Sequence, residues 1–321
     1  MEKFTHIDAS TVEEAVSALG KYKGKAKVIA GGTDLLEVLK TEIHPEYPEA
    51  IVNIKTIPNM GYIKEEAGAL KIGALTTLSE IAESSLVKGK YAALAQATDA
   101  VGSPLLRNMG TIGGNLCQEN RCWYYRARKN YFNCLRKNPA GLCYALIGDN
   151  RYHSIFGALN GCIAVNPSDT APALVALDAS VVTSKRTIAI KDLFTVDGEK
   201  TTVLDDDEIV TEVQVPEPKA GTKQVFLKFR IRKTIDFAIS SVATAITIEA
   251  GTVADARIVL GAVAPVPYRS TGAEDTIKGK AISESVADEA GTAAVKGAMP
   301  FTHNAYLVPI TKALVKRAIL A

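Results

Sequence analysis

Four cysteines, Cys122, Cys134, Cys143 and Cys162, fall within one segment, separated by eleven, eight and eighteen intervening residues. Thiolates are soft donors that select zinc or iron–sulfur clusters. The spacing is neither the paired CxxC of a zinc ribbon nor the close run of a ferredoxin. A metal site gathered from a long loop is compatible with it, and so are metal-free thiols packed as small hydrophobes. Cys162, followed by Ile163-Ala164-Val165, has the most core-like neighbours, and Cys117 is an alternative fourth ligand.

Two glycine-rich segments suit a different chemistry. Ala30-Gly31-Gly32-Thr33-Asp34 follows an apolar run, Lys27 to Ala30, and precedes Leu35 to Lys40. Strand, glycine turn and helix together present free backbone N–H groups to an anion, and the missing Cβ atoms let a pyrophosphate approach. The pattern is not GxGxxG, so it gives no support to a nicotinamide-type fold. Taken alone, it fits a tight turn better. Gly110-Thr111-Ile112-Gly113-Gly114-Asn115 is a second such segment, preceded by Arg107. Two of them point to a large nucleotide gripped from two sides.

No Ser-His-Asp set, paired-carboxylate signature or HExxH occurs, so hydrolytic chemistry has no foothold. His153 reads as structural. Between Arg121 and Lys137 stand six basic residues (Arg121, Arg126, Arg128, Lys129, Arg136, Lys137) and five aromatics, with no acidic residue. That window, inside a non-periodic insertion at about residues 117–162, suits a protein interface better than single-stranded nucleic acid.

The elements that must hold these groups follow from patterning. Ser10-Thr11 with Glu13 and Glu14 predicts a capped helix over Thr11 to Leu19. Residues 51–57 and 69–75 read as strands; Leu78 to Leu86 and Tyr91 to Ala100 read as helices. Ala171 to Val182 has β-type apolar sequence, and Ile209 to Val215 is a strand. Pro216-Glu217-Pro218-Lys219-Ala220-Gly221 is the clearest linker. Beyond it, Gln224 to Arg232, Val242 to Ile248 and Ala256 to Ala264 are strand candidates, and Tyr306 to Leu320 is helical. The expected class is α+β, with units at 1–58, 59–219 (carrying the insertion) and 220–321.

With 321 residues, 47% hydrophobic and 22% charged, the chain has ample core, and a net charge of +2 gives no basic field for nucleic acid. Ala238 to Ile248 is too short to span a membrane, and the N-terminus lacks a signal-peptide core. The expectation is a cytoplasmic, reducing setting in which clustered cysteines bind metal or do redox work.

At this point Ala30 to Leu36, Arg107 to Asn115 and Pro167-Ser168-Asp169-Thr170-Ala171-Pro172-Ala173-Leu174 resemble the FAD-binding medium subunit of the molybdenum hydroxylases. That family includes xanthine dehydrogenase, aldehyde oxidoreductase and carbon monoxide dehydrogenase. The resemblance runs on through Lys228-Phe229-Arg230, Asp236-Phe237-Ala238 and Asn304-Ala305-Tyr306, in the same order. It implies an FAD-binding domain of PCMH type (two α/β subdomains) and a carbon monoxide dehydrogenase flavoprotein-like C-terminal α+β domain. FAD would be held by Ile29, Ala30, Gly31, Gly32, Thr33, Asp34 and Leu35, and by Gly110, Thr111, Gly113, Gly114 and Asn115. Asp169 and Lys228 would lie near the cofactor. The flavin would carry the chemistry, so no catalytic acid or base is implied. Asn115 to Arg126 is similar to a subset, exemplified by hydroxybenzoyl-CoA reductase and periplasmic-type aldehyde oxidoreductase, in which a cysteine-rich insertion binds an extra [4Fe-4S] cluster. By that resemblance Cys122, Cys134, Cys143 and Cys162 are its ligands. Implied partners are a large molybdopterin subunit, a small [2Fe-2S] subunit and an external electron carrier such as NAD or ferredoxin. The competing expectations are a stand-alone FAD-dependent reductase of the same superfamily and a non-catalytic zinc-stabilised binding module.

Overall fold

The computed structural model describes all residues, 1–321. Three parallel strands, β1 (Thr5–Asp8), β2 (Ala26–Ile29) and β3 (Ala50–Asn53), form the first sheet in the order β1-β3-β2. The helices α1 (Val12–Tyr22) and α2 (Leu35–Thr41) make the crossovers. Thr11 caps α1 by accepting from the Glu14 N–H, while the Glu14 carboxylate reaches back to the Ser10 N–H at 2.8 Å.

The second sheet is antiparallel and is built from β4 (Ile63–Glu66), β5 (Ala69–Gly73), β6 (Ser180–Thr183), β7 (Thr187–Ala189) and β10 (Val210–Pro216), in the order β4-β5-β10-β6-β7. A separate hairpin pairs β8 (Phe194–Asp197) with β9 (Lys200–Thr202). Between β5 and β6 run α3 (Leu78–Glu83), α4 (Ser85–Lys90), α5 (Ala92–Asp99), α6 (Pro104–Arg107), α7 (Ile112–Cys117) and α8 (Thr170–Ala176). The expected β-type sequence at Ala171 to Val182 is therefore corrected: its first half is helix α8 and only Ser180–Thr183 is strand. Every residue of α8 is buried, so the helix shows no amphipathic period.

The third sheet is antiparallel, β11 (Thr222–Phe229), β12 (Ser240–Glu249), β13 (Thr252–Gly261) and β14 (Tyr268–Arg269). The C-terminal helices are α9 (Thr271–Ile277), α10 (Glu284–Ala294) and α11 (Leu307–Leu320). Strand β12 is buried from Ser240 to Thr247 because both its faces are covered. Ala243 and Ala245 join the main core with α5 and α8; Val242 and Ile246 join a second core with α10 and α11. This shared strand locks the C-terminal unit to the rest.

Residues 118–169 have little regular structure. Their neck is closed by a bridge between Arg121 and Val165, with the Arg121 N–H donating to the Val165 carbonyl at 3.1 Å. The insertion contributes two small apolar clusters of its own, and its Ile155 joins the second main core. No helix of the chain is long and apolar enough to cross a membrane.

Candidate functional site

The first glycine segment lies between the end of β2 and the start of α2. The N–H groups of Gly31, Gly32, Thr33 and Asp34 donate to no other group of the protein, and the Thr33 hydroxyl is likewise free. Gly32 takes φ +73°, where a side chain is strained. Gly31 is required for a different reason: a Cβ there would stand 1.9 Å from the Met109 carbonyl oxygen, so the two glycine segments touch backbone to backbone.

The second segment is a helical turn. Thr111 caps α7 through the Gly114 N–H. The N–H groups of Ile112 and Gly113 are already given to the carbonyls of Thr76 and Ala74. Gly113 packs on Ala74 and Gly114 is exposed. This segment is a wall, while the first is a cradle of open donors. Between them lies a cleft of about 660 Å³, lined by Ala30, Gly31, Gly32, Thr33, Asp34, Leu35, Gly110, Thr111, Gly114 and Asn115, and also by Asp169 and Lys228. Ile29 and Gly113 stand outside that lining.

Several of these side chains are committed to the protein. Asn115 accepts from Ser168 and Thr170 at 2.6 and 2.7 Å, holding the turn that carries Asp169. Asp169 and Lys228 form a nearly fully buried ion pair at 2.6 Å, with Lys228 also donating to the Ala100 carbonyl. Burial pushes the Asp169 carboxyl up, against the pull of Lys228 and Arg230. Asp34 accepts from Arg121 and Arg126 at 2.9 and 2.8 Å and from the Glu119 N–H at 2.9 Å. It thereby ties the cradle to the neck of the insertion.

Cys122, Cys134, Cys143 and Cys162 line one small cavity together with Tyr124, Tyr125, Leu135, Arg136, Tyr144, Ala145 and Ala164. Cys117 lines the cleft instead. All five thiols are free. Burial pushes Cys122 up to about 12 and raises Cys162. No group of three or more His, Cys, Asp or Glu side chains is placed to hold a metal ion.

One layer of side chains separates cavity and cleft. Arg136 lines the cavity and donates to the carbonyls of Gly198, Glu199 and Lys200, the latter two being residues of the cleft wall. Tyr125 lines the cavity and meets His44 edge-on at 5.7 Å between ring centroids. His44 sits between two carboxylates of the cleft, with Nε2 2.8 Å from Glu119 and Nδ1 3.1 Å from Glu199, the second contact lying off hydrogen-bond geometry. Burial opposes a charge on His44, but the two carboxylates outweigh it and raise its pKa. Burial likewise opposes charge on Glu119, yet His44 holds it down at about 2.

Residues 2–218 match the family model described as the FAD binding domain in molybdopterin dehydrogenase, and residues 225–321 match the carbon monoxide dehydrogenase flavoprotein C-terminal domain. The chain belongs to this family of FAD-binding subunits. It is 35% identical to the aldehyde oxidoreductase FAD-binding subunit PaoB of Escherichia coli, over 85% of this chain and 86% of that one. It is 28% identical to the carbon monoxide dehydrogenase medium chain of Hydrogenophaga pseudoflava, over 91% and 86%. A solved structure of carbon monoxide dehydrogenase from the same organism superposes with a TM-score of 0.78 at 27% identity, covering 100% of this chain and 97% of that one. The fold expected of an FAD-binding medium subunit, two α/β parts followed by an α+β domain, is the fold present.

For this flavoprotein family member, only part of the basic window faces outward. Arg121 and Arg126 turn inward to Asp34 and Glu37, Arg136 is buried, and Lys137 donates to the Ile43 carbonyl. Of the six cations, Arg128 and Lys129 are exposed. Sequence reasoning also passed over His44, Glu119 and Glu199. Their pairing joins residues 75 and 155 positions apart, and no local pattern announces it.

Proposed function

We propose that this chain is the FAD subunit of a heteromeric molybdopterin-containing oxidoreductase and that it also carries an extra [4Fe-4S] cluster. It passes electrons between an external carrier and the iron–sulfur centre of a small partner, while a large molybdopterin subunit handles the organic substrate. The relatives support this by name: they are subunits of aldehyde, carbon monoxide and xanthine oxidoreductases. A reducing, cytoplasmic setting suits five free thiols.

In this reading, the open N–H groups of Gly31 through Asp34 cradle the FAD pyrophosphate, which a helix start favours. The turn at Thr111–Asn115 forms the opposing wall, and the Lys228–Asp169 pair sets the charge at the cleft floor. FAD, once bound, supplies the electron chemistry. The protein's own part is to hold it, exclude water and keep it one side-chain layer from the cysteines.

The observation that carries the cluster is the convergence of four cysteines, from four separate turns of the insertion, on one cavity. Burial opposes ionisation of Cys122 and Cys162, and the positive charge of a metal core supports the thiolate. Cys134→Ser should bleach the cluster absorbance and leave FAD bound, whereas Cys117→Ser should keep its iron. Unchanged iron in Cys134→Ser, or iron loss in Cys117→Ser, would reject the ligand set.

A further inference from the structure

Behind Cys122, outside the cavity lining, lies a side chain that the cofactor-holding role does not use. His153 is 1% exposed, and its Nε2 stands 3.1 Å from the Cys122 sulfur. Its ring lies beside Trp123 and Tyr124, with centroids at 6.5 and 6.3 Å. The backbone beneath it is pinned from two directions. The His153 N–H donates to the Asn150 carbonyl at 3.0 Å, and Asn304 of the C-terminal unit donates its side-chain amide to the carbonyls of His153 and Ser154 at 3.1 and 3.2 Å. The His303 N–H holds the Asn150 side chain at 2.9 Å. The backbone that carries the ring is therefore held in place.

The proton on that ring can be placed as well. Nδ1 is buried and has no partner, so a proton there would be a stranded donor. With the proton on Nε2, it points at sulfur. A ligating cysteine has no proton of its own to give, so at a cluster the contact persists only with Nε2 donating. The other sulfur contacts are from backbone N–H groups, Ala164 to Cys162 at 3.4 Å and Tyr124 and Tyr125 to Cys122, which any residue there would supply. His153 is the side chain that hydrogen-bonds a sulfur.

We infer that His153 is a positioning residue whose Nε2–H donates to the Cys122 sulfur and raises the reduction potential of the cluster. The inference rests on the cluster reading above. An electron added to the cluster spreads negative charge onto the sulfurs, and a fixed donor stabilises that reduced form more than the oxidised one. One electron enters and no bond forms or breaks.

The test uses the full chain, purified anaerobically, with iron and sulfide measured before a dithionite titration followed by electron paramagnetic resonance. His153→Phe keeps the ring packing and removes the donor; His153→Leu repeats the loss should the first fail to fold; His153→Gln restores an N–H near the same place. All are expected to hold about four iron atoms. The donor-free variants should shift the oxidised-to-reduced ratio about tenfold toward oxidised, about 59 mV lower for a one-electron couple, and His153→Gln should stay near the wild type. Donor-free variants that titrate like the wild type overturn the inference while leaving the cluster intact. A three-iron signal in them makes His153 a ligand and overturns it too. An iron-free wild type removes the cluster reading itself, and this inference with it.

Discussion

A single methyl group at Gly31 should pry apart the two segments that wall the FAD cleft. The Cβ of Gly31→Ala would lie 1.9 Å from the Met109 carbonyl oxygen, 2.7 Å from its carbon and 3.0 Å from the Gly110 Cα. Ordinary contact begins near 3.4 Å, so the turn must retreat by about 1.5 Å. The obstacle is backbone, and no side-chain rotation relieves it. Overpacking of this kind costs about 1–3 kcal/mol. If the cofactor restores the native spacing at that cost, its affinity falls roughly 5- to 150-fold. Fluorescence titration of the deflavinated chain with FAD reads this directly, and urea unfolding of the same samples confirms that they are folded. Gly89→Ala is the control: Gly89 is exposed on α4, has no neighbour within 4 Å of an added Cβ, and needs no left-handed backbone. It should bind FAD like the wild type and gain about 0.5–1 kcal/mol of stability. A folded Gly31→Ala that binds FAD within about twofold of the wild type would refute the contact argument.

Two further outcomes concern charge. Lys228→Met strands the buried Asp169 carboxylate and should cost about 3–5 kcal/mol. The folded-state pKa of Asp169 is already raised by burial, and it rises further without Lys228. The deficit should therefore shrink as pH falls and the carboxyl protonates, and grow as pH rises. Urea midpoints at pH 5 and pH 8 showing equal deficits would contradict this, and adding Asp169→Asn should restore most of the loss. His44, with its pKa raised between Glu119 and Glu199, contributes stability that is complete below the ordinary histidine range and lost as pH rises through the raised value. Glu119, held at about 2, contributes above the ordinary carboxylate range and loses that contribution as pH falls toward 2. His44→Gln should flatten the alkaline limb of a stability–pH profile; an unaltered limb would show that the clasp has no such role.

Much of the site could be read from the chain, and the reasons differ by element. The strand–glycine–helix order at Lys27 to Lys40 is local, and local order survives folding. The cysteine set was ambiguous by spacing; what separates Cys162 from Cys117 is that one reaches the cavity and the other the cleft, a distinction made by the fold. The misreading at Ala171 has a physical source, because a helix buried on every side offers no period to detect. The basic window was legible only in part, because charge counts do not say where a guanidinium points. Asp34, Glu37, the Ile43 carbonyl and the carbonyls of the β8–β9 hairpin, far away in sequence, draw four of the six cations inward. Asp34 itself had been matched to the cofactor loop by type and place, and its carboxylate is spent on Arg121, Arg126 and the Glu119 N–H.

The central claim is that one chain holds both a flavin and an iron–sulfur cluster, one side-chain layer apart. Anaerobic purification followed by FAD, iron and zinc quantitation and a visible spectrum tests it most directly. The account predicts about one FAD and about four iron atoms per chain, with a broad cluster absorbance beneath the flavin bands. FAD with zinc in place of iron, or FAD with no metal at all, would contradict it.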